Sequence, residues 1–337
     1  MDMAQKVVVN AFGGVEHLCL VNHAIPQPSA HEVVVRLTSI GMNQADLMAR
    51  RGEYRLISGN PPFTPGIEAG GVIEQIGTGV DERTLGQRII LSLDAPSSQG
   101  LGNGTYQSHF VVHASKTIPV PDGIPDELIG ALWLPFLTAW GCLIGQQNLQ
   151  PGQTVLLPAA SSSVAIAASQ IVKHYGGITI GTTTCPEKVE TLEKMTAAQF
   201  DHLIVTRDPN WWRSVKKLTQ GKGVDIIFDP VAAGAFLNTE IRLLAHGGTL
   251  WVYGLLGQPD TVDVTPLIRK LASIRGWLLN ALSGSDQEQS AYAHILTNVS
   301  NGTYQLPVAA QFSLAEVQAA HSYMEQGKHI GKLILVP

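Results

Sequence analysis

The segment with the clearest potential for chemistry is a serine-rich turn between a strand-like stretch and a helix-like stretch. Residues 154–157 predict a buried strand, and the apolar spacing of residues 164–175 predicts a helix. A turn in this position brings backbone N–H groups and the positive end of the helix to one point, where a phosphate binds. The residues that we predict to face such an anion are Ser161, Ser162, Ser163 and Val164.

The same turn has the position of a dinucleotide-binding loop but lacks its glycines. Three glycines in that loop allow a tight turn and a close approach of the backbone to a pyrophosphate. Here the corresponding positions hold Ala160, Ser162 and Ala165, which are small but carry a Cβ atom. We therefore predict a degenerate dinucleotide site. The alternative is a serine-rich helix cap that binds no ligand.

The end of the next predicted strand indicates which dinucleotide is bound. An NAD site places Asp or Glu roughly 20 residues after the glycine loop, where it binds the ribose 2′-hydroxyl. Residues 176–186 contain no acid. Hydroxyls and a positive charge are offered instead by Thr182, Thr183, Thr184 and Lys188. Those groups suit a 2′-phosphate, so the sequence predicts NADPH, although Lys188 could be a solvated helix lysine.

Later strands of the same pattern add candidates to the cofactor site. Arg207 follows the third strand and could bind a 2′-phosphate or be neutralised by Asp208. Tyr253 and Gly254 end a later strand, at the carboxyl edge where open α/β sheets bind ligands. Asp229 ends another strand at that edge, and its alternative role is a structural cap.

The elements that must position these residues alternate between strand and helix. From residue 154 to residue 253 the alternation predicts a doubly wound parallel sheet with helices on both faces. Residues 6 to about 120 instead carry short strand patterns punctuated by Gly and Pro, as in a compact β-rich domain. Between them, residues 127–145 predict an apolar helix interrupted by Pro135. After about residue 272 the pattern is irregular, until a helix over 314–326 and a strand over 332–336.

Composition excludes several classes of function. The chain has 337 residues, 45% of them hydrophobic, and a formal net charge of −5 with no basic run that suggests nucleic acid. No apolar stretch reaches the roughly 18 residues of a membrane span, and no signal-peptide pattern precedes the first strand. Three scattered cysteines fit a reducing compartment, so we expect a cytoplasmic protein. The 11 histidines show no metal-ligand spacing.

Seven short motifs run in order along the chain and carry a resemblance to a known family. They are residues 41–46, 51–54, 65–72, 104–107 and 134–141, the serine-rich turn, and residues 331–333. Together they resemble the zinc-independent medium-chain dehydrogenases/reductases, especially the zeta-crystallin-like quinone oxidoreductases. The resemblance implies an α/β protein with a GroES-like catalytic domain, residues 1–122 and 273–337, and a Rossmann NADPH-binding domain, residues 123–272. It also implies a homodimer formed through the Rossmann sheet.

Two positions in these motifs decide what chemistry the resemblance implies. In the zinc alcohol dehydrogenases of the superfamily they hold a cysteine and a histidine that bind the catalytic metal, whereas this chain has Asn43 and Ile67. Neither side chain is one that zinc prefers. A Gly/Ser segment, residues 95–104, also replaces the four-cysteine structural zinc lobe. The resemblance therefore implies no metal and a conjugated small-molecule substrate, either a quinone or an α,β-unsaturated ketone or aldehyde.

With this chemistry, individual side chains acquire expected roles. Asn43 suits an uncharged hydrogen-bond donor near the nicotinamide, and its alternative role is to close a turn. Tyr54 matches a tyrosine that is a proposed proton donor in the related enoyl thioester reductases, with packing as its alternative role. Thr138 is expected to contact the nicotinamide carboxamide or ribose, or else to bond back within its helix. Asp46 and Glu68 are interpreted as structural acids.

Three functions remain open from the sequence. The leading one is metal-free, NADPH-dependent transfer of a hydride to a quinone or enone. The second is a 2-enoyl thioester reductase, which needs a basic groove for the phosphate of CoA or a carrier protein. Only Arg50, Arg51 and Arg55, around Tyr54, form a cluster that could supply one. The third is a non-catalytic NADPH-binding protein, either crystallin-like or a sensor.

Overall fold

The structure, a computed structural model, describes residues 3–337 as two compact units. The first unit reaches to Leu134 and resumes at Ala293, and the second unit runs from Pro135 to Tyr292. The second unit extends further toward the C-terminus than the predicted Rossmann domain. Within residues 3–337, no helix combines the length and the apolar character needed to cross a membrane.

Residues 3–337 form fifteen strands. They are β1 (Met3–Val9), β2 (Leu18–Ala24), β3 (Glu32–Gly41), β4 (Ala69–Ile76), β5 (Arg88–Leu91), β6 (His109–His113), β7 (Thr117–Pro119), β8 (Thr154–Leu157), β9 (Ile178–Thr183), β10 (His202–Val205), β11 (Val224–Asp229), β12 (Leu244–Val252), β13 (Ser273–Gly276), β14 (Val308–Ser313) and β15 (Lys332–Val336).

The same residues form twelve α-helices, three of them single turns. They are α1 (Gln44–Arg51), α2 (Arg55–Ser58), α3 (Ala95–Ser98), α4 (Asp126–Ile129), α5 (Trp133–Trp140), α6 (Ser163–His174), α7 (Val189–Lys194), α8 (Trp211–Leu218), α9 (Gly234–Leu243), α10 (Thr265–Lys270), α11 (Asp286–Ser300) and α12 (Val317–Glu325). A π-helical turn, Gly141–Gln146, continues α5.

The first unit is built on a seven-stranded sheet. Its strand order is β14-β15-β3-β4-β5-β7, with β6 also paired to β3, and β1 and β2 form a separate antiparallel hairpin. Apolar side chains from β3, β4, β5, β6, β15 and α12 fill one core. Antiparallel pairing sets Ile334 opposite Gly41, and the Met42 N–H donates to the Leu333 carbonyl at 3.0 Å. The start of β15 therefore lies beside the turn that leads into α1.

The second unit contains a six-stranded parallel sheet in the order β10-β9-β8-β11-β12-β13. Counted from β8, this is the 3-2-1-4-5-6 order of a doubly wound dinucleotide-binding fold. Its connections reverse direction between β8 and β11, so the loops after these two strands flank the crevice where such sheets bind ligands. The predicted doubly wound α/β sheet is confirmed.

Two predictions of local structure were wrong. The apolar helix predicted over residues 127–145 is interrupted, but between α4 and α5 and not at Pro135, which lies in the first turn of α5, where no backbone N–H is needed. The stretch after residue 272, predicted to be irregular, contains β13 and the fifteen-residue helix α11. Polar residues dominate α11, and its buried face is narrow, with Ala291 and Ile295 at its centre. The weak apolar periodicity explains why it was missed.

Candidate active site

The serine-rich turn lies between β8 and α6, as predicted. Ala159 has a positive φ of 53°, which turns the chain sharply. The Ala160 N–H then donates to the Thr182 carbonyl at 2.9 Å, and the Ser162 hydroxyl accepts from the Ala165 N–H at 3.1 Å. Ser162 is thus the N-cap of α6. Ser163 opens the helix, so the first turn of α6 begins at the carboxyl end of β8, where sheets of this kind bind ligands.

The turn packs closely against β9 at Gly181. A Cβ atom at Gly181 would lie 3.0 Å from the Cβ atom of Ala160 and 2.7 Å from the ring of Phe200. Ala160 is fully buried, and the absence of a side chain at Gly181 leaves room for its Cβ atom. The loop therefore keeps the close helix–strand packing that glycine gives in the dinucleotide fingerprint.

The residues after β9 divide into buried and accessible groups. Thr182 and Thr183 are buried, and the Thr183 hydroxyl accepts from the Cys185 N–H at 3.1 Å. Thr184 is exposed. The Lys188 ammonium donates to the Ser161 hydroxyl at 3.0 Å, which brings the two predicted phosphate-binding segments into contact. The predicted roles of Thr182 and Thr183 at a 2′-phosphate would require their hydroxyls to leave these buried positions.

Two charged residues, Arg207 and Glu187, lie near the carboxyl ends of β9 and β10. Arg207, after β10, is exposed and could reach a phosphate. Glu187 is an acid that lies one residue beyond the acid-free segment 176–186 and was therefore not considered as a ribose ligand. Its exposed carboxylate accepts from the Cys185 thiol at 2.8 Å, a hydrogen bond that lowers the pKa of Glu187. The case for NADPH therefore rests on the cations and hydroxyls, and no longer on the lack of an acid.

The loops after β11 and β12 pack against each other. Both carboxylate oxygens of Asp229 accept backbone N–H groups at 2.7 Å, from Val231 and Ala232, so this acid acts as a loop cap. A Cβ atom at Gly254 would lie 2.9 Å from the carbonyl oxygen of Pro230, which gives glycine a packing reason at this position. Tyr253 stacks on Phe228, with 4.0 Å between ring centroids. No contact between a cofactor and Tyr253 or Gly254 is tested by this geometry, so both contacts stay predictions.

Thr138 lies in the second half of α5 and is buried. Its carbonyl oxygen accepts from the indole N–H of Trp277 at 3.0 Å. This bond holds α5 against the segment after β13 within the second unit. The structure gives Thr138 a fixed position there, and its predicted contact with the nicotinamide remains a prediction.

A cavity of about 600 Å³ lies at the opposite edge of the Rossmann sheet. It is lined by residues at the amino ends of the strands, including Thr154, Ile178 and Asp225. No predicted site residue lines it. Open α/β sheets bind cofactor at the carboxyl ends of their strands, so we assign this cavity no part in cofactor binding.

In the first unit, Asn43 lies at the centre of a polar network. Its side-chain N–H groups donate to the Gly41 carbonyl at 3.0 Å and to Oε2 of Glu68 at 3.3 Å. Its side-chain oxygen accepts from the ammonium of Lys332 at 2.7 Å. Lys332 also donates to Oε2 of Glu68 at 2.7 Å, and Oε1 of Glu68 accepts from the Leu134 N–H at 2.8 Å. The structural role interpreted for Glu68 agrees with these contacts.

Asp46 fixes the other side of the same turn. Its carboxylate accepts from the Asn43 backbone N–H at 2.8 Å, which closes the first turn of α1, and from the Tyr106 hydroxyl at 3.2 Å. Burial raises the pKa of Asp46 to about 7, against the lowering effects of these two hydrogen bonds and of Lys332. Asp46 is therefore a structural acid that titrates near neutral pH.

Tyr54 precedes α2 and is half-buried, and helix α1 separates it from Asn43 along the chain. Burial raises the pKa of its phenol, so the hydroxyl stays protonated at neutral pH. Ile67 is also partly buried and adjoins Glu68. Among the side chains of residues 3–337, no group of three His, Cys, Asp or Glu residues is arranged to hold a metal ion.

Lys332 and Tyr106 also belong to this site, although neither was assigned a role from sequence. Lys332 belongs to a motif that supported the family resemblance, but no role was assigned to it. A lysine at the start of an otherwise apolar strand, Lys332–Val336, was a usable signal, because a buried cation requires a partner. Tyr106 carried no such signal, because tyrosines are common in cores.

Comparison with known proteins agrees with this architecture. Residues 29–122 match the family described as "Alcohol dehydrogenase GroES-like domain", and residues 163–297 match "Zinc-binding dehydrogenase". The human protein named "Quinone oxidoreductase" is 30% identical, over 99% of this chain and 98% of that protein. A "2-haloacrylate reductase" from a Burkholderia species is 28% identical, over 99% of both chains.

Solved structures extend the similarity to the whole fold. A mycobacterial protein solved in complex with NADPH superposes with a TM-score of 0.87 and 26% identity, covering 100% of both chains. The matched domains follow the same order as the two units described above. By these matches, the chain belongs to the medium-chain dehydrogenase/reductase family of oxidoreductases, in the group that contains the quinone oxidoreductases.

Proposed function

We propose that this protein uses NADPH to reduce a conjugated carbonyl compound, either a quinone or an α,β-unsaturated ketone or aldehyde. The observation that carries the proposal is the pair Asn43 and Ile67, at the positions of the metal ligands in zinc-dependent members of the superfamily. An amide and an alkyl group are poor ligands for a Lewis-acidic metal. A conjugated substrate fits such a site, because its own π system spreads the negative charge that reduction creates.

The second unit supplies a donor set that fits NADPH. The first turn of α6 and Ser161 suit the pyrophosphate, while Lys188, Thr184 and Arg207 suit a 2′-phosphate. Contact between Lys188 and Ser161 supports one continuous phosphate-binding surface. When bound, NADPH supplies the hydride for the reduction. Glu187 is an acid of the kind that binds the ribose 2′-hydroxyl of NADH, and assay with both cofactors separates the two preferences.

The first unit supplies the polar groups for the substrate oxygen. We assign Asn43 the hydrogen bond to the oxygen on which negative charge develops. We assign Tyr54 the proton that completes reduction, because its phenol stays protonated at neutral pH and is half-buried. Neither residue needs to change charge before substrate binds.

A related chemistry is supported by one of the relatives. The Burkholderia relative is named for a haloacrylate, in which a carbon–carbon double bond is conjugated with a carboxyl group. Reduction of such a bond and reduction of an enone both place negative charge on a conjugated oxygen. We therefore include conjugated acids among the substrates to be tested.

The 2-enoyl thioester alternative receives less support from the structure. Arg50 is 2% exposed and pairs with Glu325, which also lies 3.6 Å from Arg51. The Arg55 guanidinium lies over the Phe12 ring, 5.1 Å from its centroid. The three arginines that could have formed a basic groove are thus largely engaged within the first unit. Binding of a CoA or carrier-protein phosphate would therefore need cations other than these three arginines.

A substrate panel separates these functions. Purified protein is incubated with NADPH, or with NADH in parallel, and with a quinone, an enone, a conjugated acid and a 2-enoyl-CoA, while nicotinamide absorbance is followed. The proposal predicts turnover on the quinone or the enone that is faster with NADPH. Turnover on the thioester alone would establish the second function. Tight NADPH binding without turnover on any compound would establish a non-catalytic NADPH-binding protein.

We also propose that the protein forms a homodimer through β13. This strand lies at the edge of the Rossmann sheet and pairs only with β12 among residues 3–337. Large apolar side chains are exposed nearby, including Ile268 at 76%, Leu271 and Leu278. An uncovered apolar edge of this kind suits a second copy of the chain. Light scattering should then give twice the chain mass, and the mass of one chain would contradict the proposal.

The cellular location is a further proposal. Within residues 3–337, Cys19, Cys142 and Cys185 form no disulfide bond. Unpaired thiols are stable in a reducing compartment, which supports a cytoplasmic location. Fractionation of the source cells tests this directly, and recovery outside the cytoplasmic fraction would contradict it.

A further inference from the structure

Lys332 and Glu68 form a buried ion pair at the heart of the first unit. Lys332 is 1% exposed and Glu68 is 0% exposed, and their charged atoms lie 2.7 Å apart. A buried pair is weak evidence for stability, because removing two charges from water costs about as much as their attraction returns. Its position calls for another explanation, since both members also contact Asn43.

The ion pair determines how the Asn43 amide is oriented. Lys332 can only donate hydrogen bonds, so its ammonium selects the amide oxygen. The Gly41 carbonyl can only accept, so it selects the amide nitrogen. With both ends selected, rotation of the amide by 180° would place a donor against the ammonium and an acceptor against the carbonyl. The amide is thus held in one orientation.

One of the two Asn43 N–H groups is held less tightly than the other. Its bond to Glu68 is 3.3 Å long, whereas its bond to Gly41 is 3.0 Å. The same Glu68 oxygen already accepts from Lys332 at 2.7 Å. A substrate oxygen that develops negative charge can therefore take this N–H group without leaving the carboxylate unpaired. Donation from Lys332 into the amide oxygen also strengthens the amide as a donor.

We propose that Lys332 is a positioning residue of the reductase reaction, which acts on the substrate oxygen through the amide of Asn43. The inference rests on the proposed function, because it assumes reduction at a conjugated oxygen. The buried ammonium orients and polarises Asn43, and Glu68 holds the ammonium in place. Loss of this positioning should lower kcat and leave the affinity for NADPH unchanged, because Lys332, Asn43 and Glu68 all lie in the first unit.

The test must separate a role in turnover from a role in folding. Lys332→Met alone would leave Glu68 as an unpaired buried charge and could unfold the first unit. The double variant Lys332→Met/Glu68→Gln removes both charges while keeping similar volumes and an acceptor for the Leu134 N–H. Thermal unfolding establishes that the variant is folded. Lys328→Met serves as a matched control, because Lys328 is an exposed lysine on the same approach to β15.

We expect the double variant to be folded, with kcat reduced by at least about tenfold and KM for NADPH unchanged. Lys328→Met should leave both constants unchanged. In an Asn43→Ala background, the same double substitution should reduce kcat no further, because its effect passes through the amide. A folded double variant with wild-type kcat would overturn the inference, as would an equal loss of kcat with and without Asn43.

The same measurements distinguish this inference from the function on which it rests. Wild-type protein that turns over none of the conjugated substrates would overturn the proposed function and the inference together. Active wild-type protein with an equally active double variant would overturn the inference alone.

Discussion

The buried acid Asp46 leads to a specific prediction about stability and pH. Burial raises its pKa from the ordinary 3.8 to about 7 in the folded protein. Folding is therefore favoured when Asp46 is protonated. This contribution is fully present below the unfolded pKa and is lost as the pH rises to about 7, because the unfolded chain releases the proton first. Substitution of Asp46 by Asn removes the titration and keeps an acceptor for the Asn43 N–H and the Tyr106 hydroxyl.

The magnitude follows from the difference between the two pKa values. One pKa unit corresponds to about 1.4 kcal/mol, so the full contribution is about 4 kcal/mol. Between a pH of about 5 and a pH of about 8, the expected loss is about 2 to 3 kcal/mol. Asp229 and Glu240 in the second unit also have raised pKa values because of burial. Both acids are unchanged in Asp46→Asn, so their contributions to the pH dependence cancel when that variant is compared with wild-type protein.

Hydrogen exchange measured by mass spectrometry gives the unfolding free energy of the first unit separately. Peptides that cover α1 and β3 are followed in wild-type protein and in Asp46→Asn at the two pH values. As the pH rises, the unfolding free energy of the first unit should fall by about 2 to 3 kcal/mol more in wild-type protein than in Asp46→Asn. If the unfolding free energies of the two proteins depend equally on pH, burial does not raise the pKa of Asp46 as argued.

Three further predictions concern catalysis and the cofactor. Tyr54→Phe should lower turnover on enones by at least about tenfold without changing the Kd for NADPH, since it removes only the proton donor; unchanged turnover would remove Tyr54 from that role. Lys188→Ala should weaken NADPH binding by about tenfold or more in calorimetry and weaken NADH binding much less. The exposed Lys194→Ala is its control, and equal losses for both cofactors would place Lys188 away from the 2′-phosphate. Activity should survive exhaustive chelation, and a loss restored by zinc would contradict the role given to Asn43 and Ile67.

Much of the Rossmann unit could be predicted from sequence because its signals are local. Strand β8 is a short apolar run that occupies the predicted residues 154–157, and α6, Ser163–His174, lies within one residue of the helix predicted over 164–175. Alternation of such elements then predicts the parallel sheet without any knowledge of contacts. By contrast, α11 is rich in polar residues, and its burial depends on partners distant in sequence.

The candidate site was predictable only in part, because its contacts join distant segments. Sequence identified Asn43 and Glu68, but their link through Lys332 depends on the pairing of β15 with β3. Contact between Ser161 and Lys188 likewise depends on how β9 packs beside β8. Hydroxyl groups at Thr182 and Thr183 resembled phosphate ligands in the sequence, and only the fold shows that they are buried.

The position at which hydride enters the substrate tests the central claim most directly. NADPH that carries deuterium at the transferred position is incubated with the protein and an α,β-unsaturated ketone, and the product is analysed by NMR. Conjugate reduction predicts deuterium on the β-carbon of a saturated ketone, because the negative charge then passes to the carbonyl oxygen. Deuterium on the former carbonyl carbon, in an allylic alcohol, would contradict the claim.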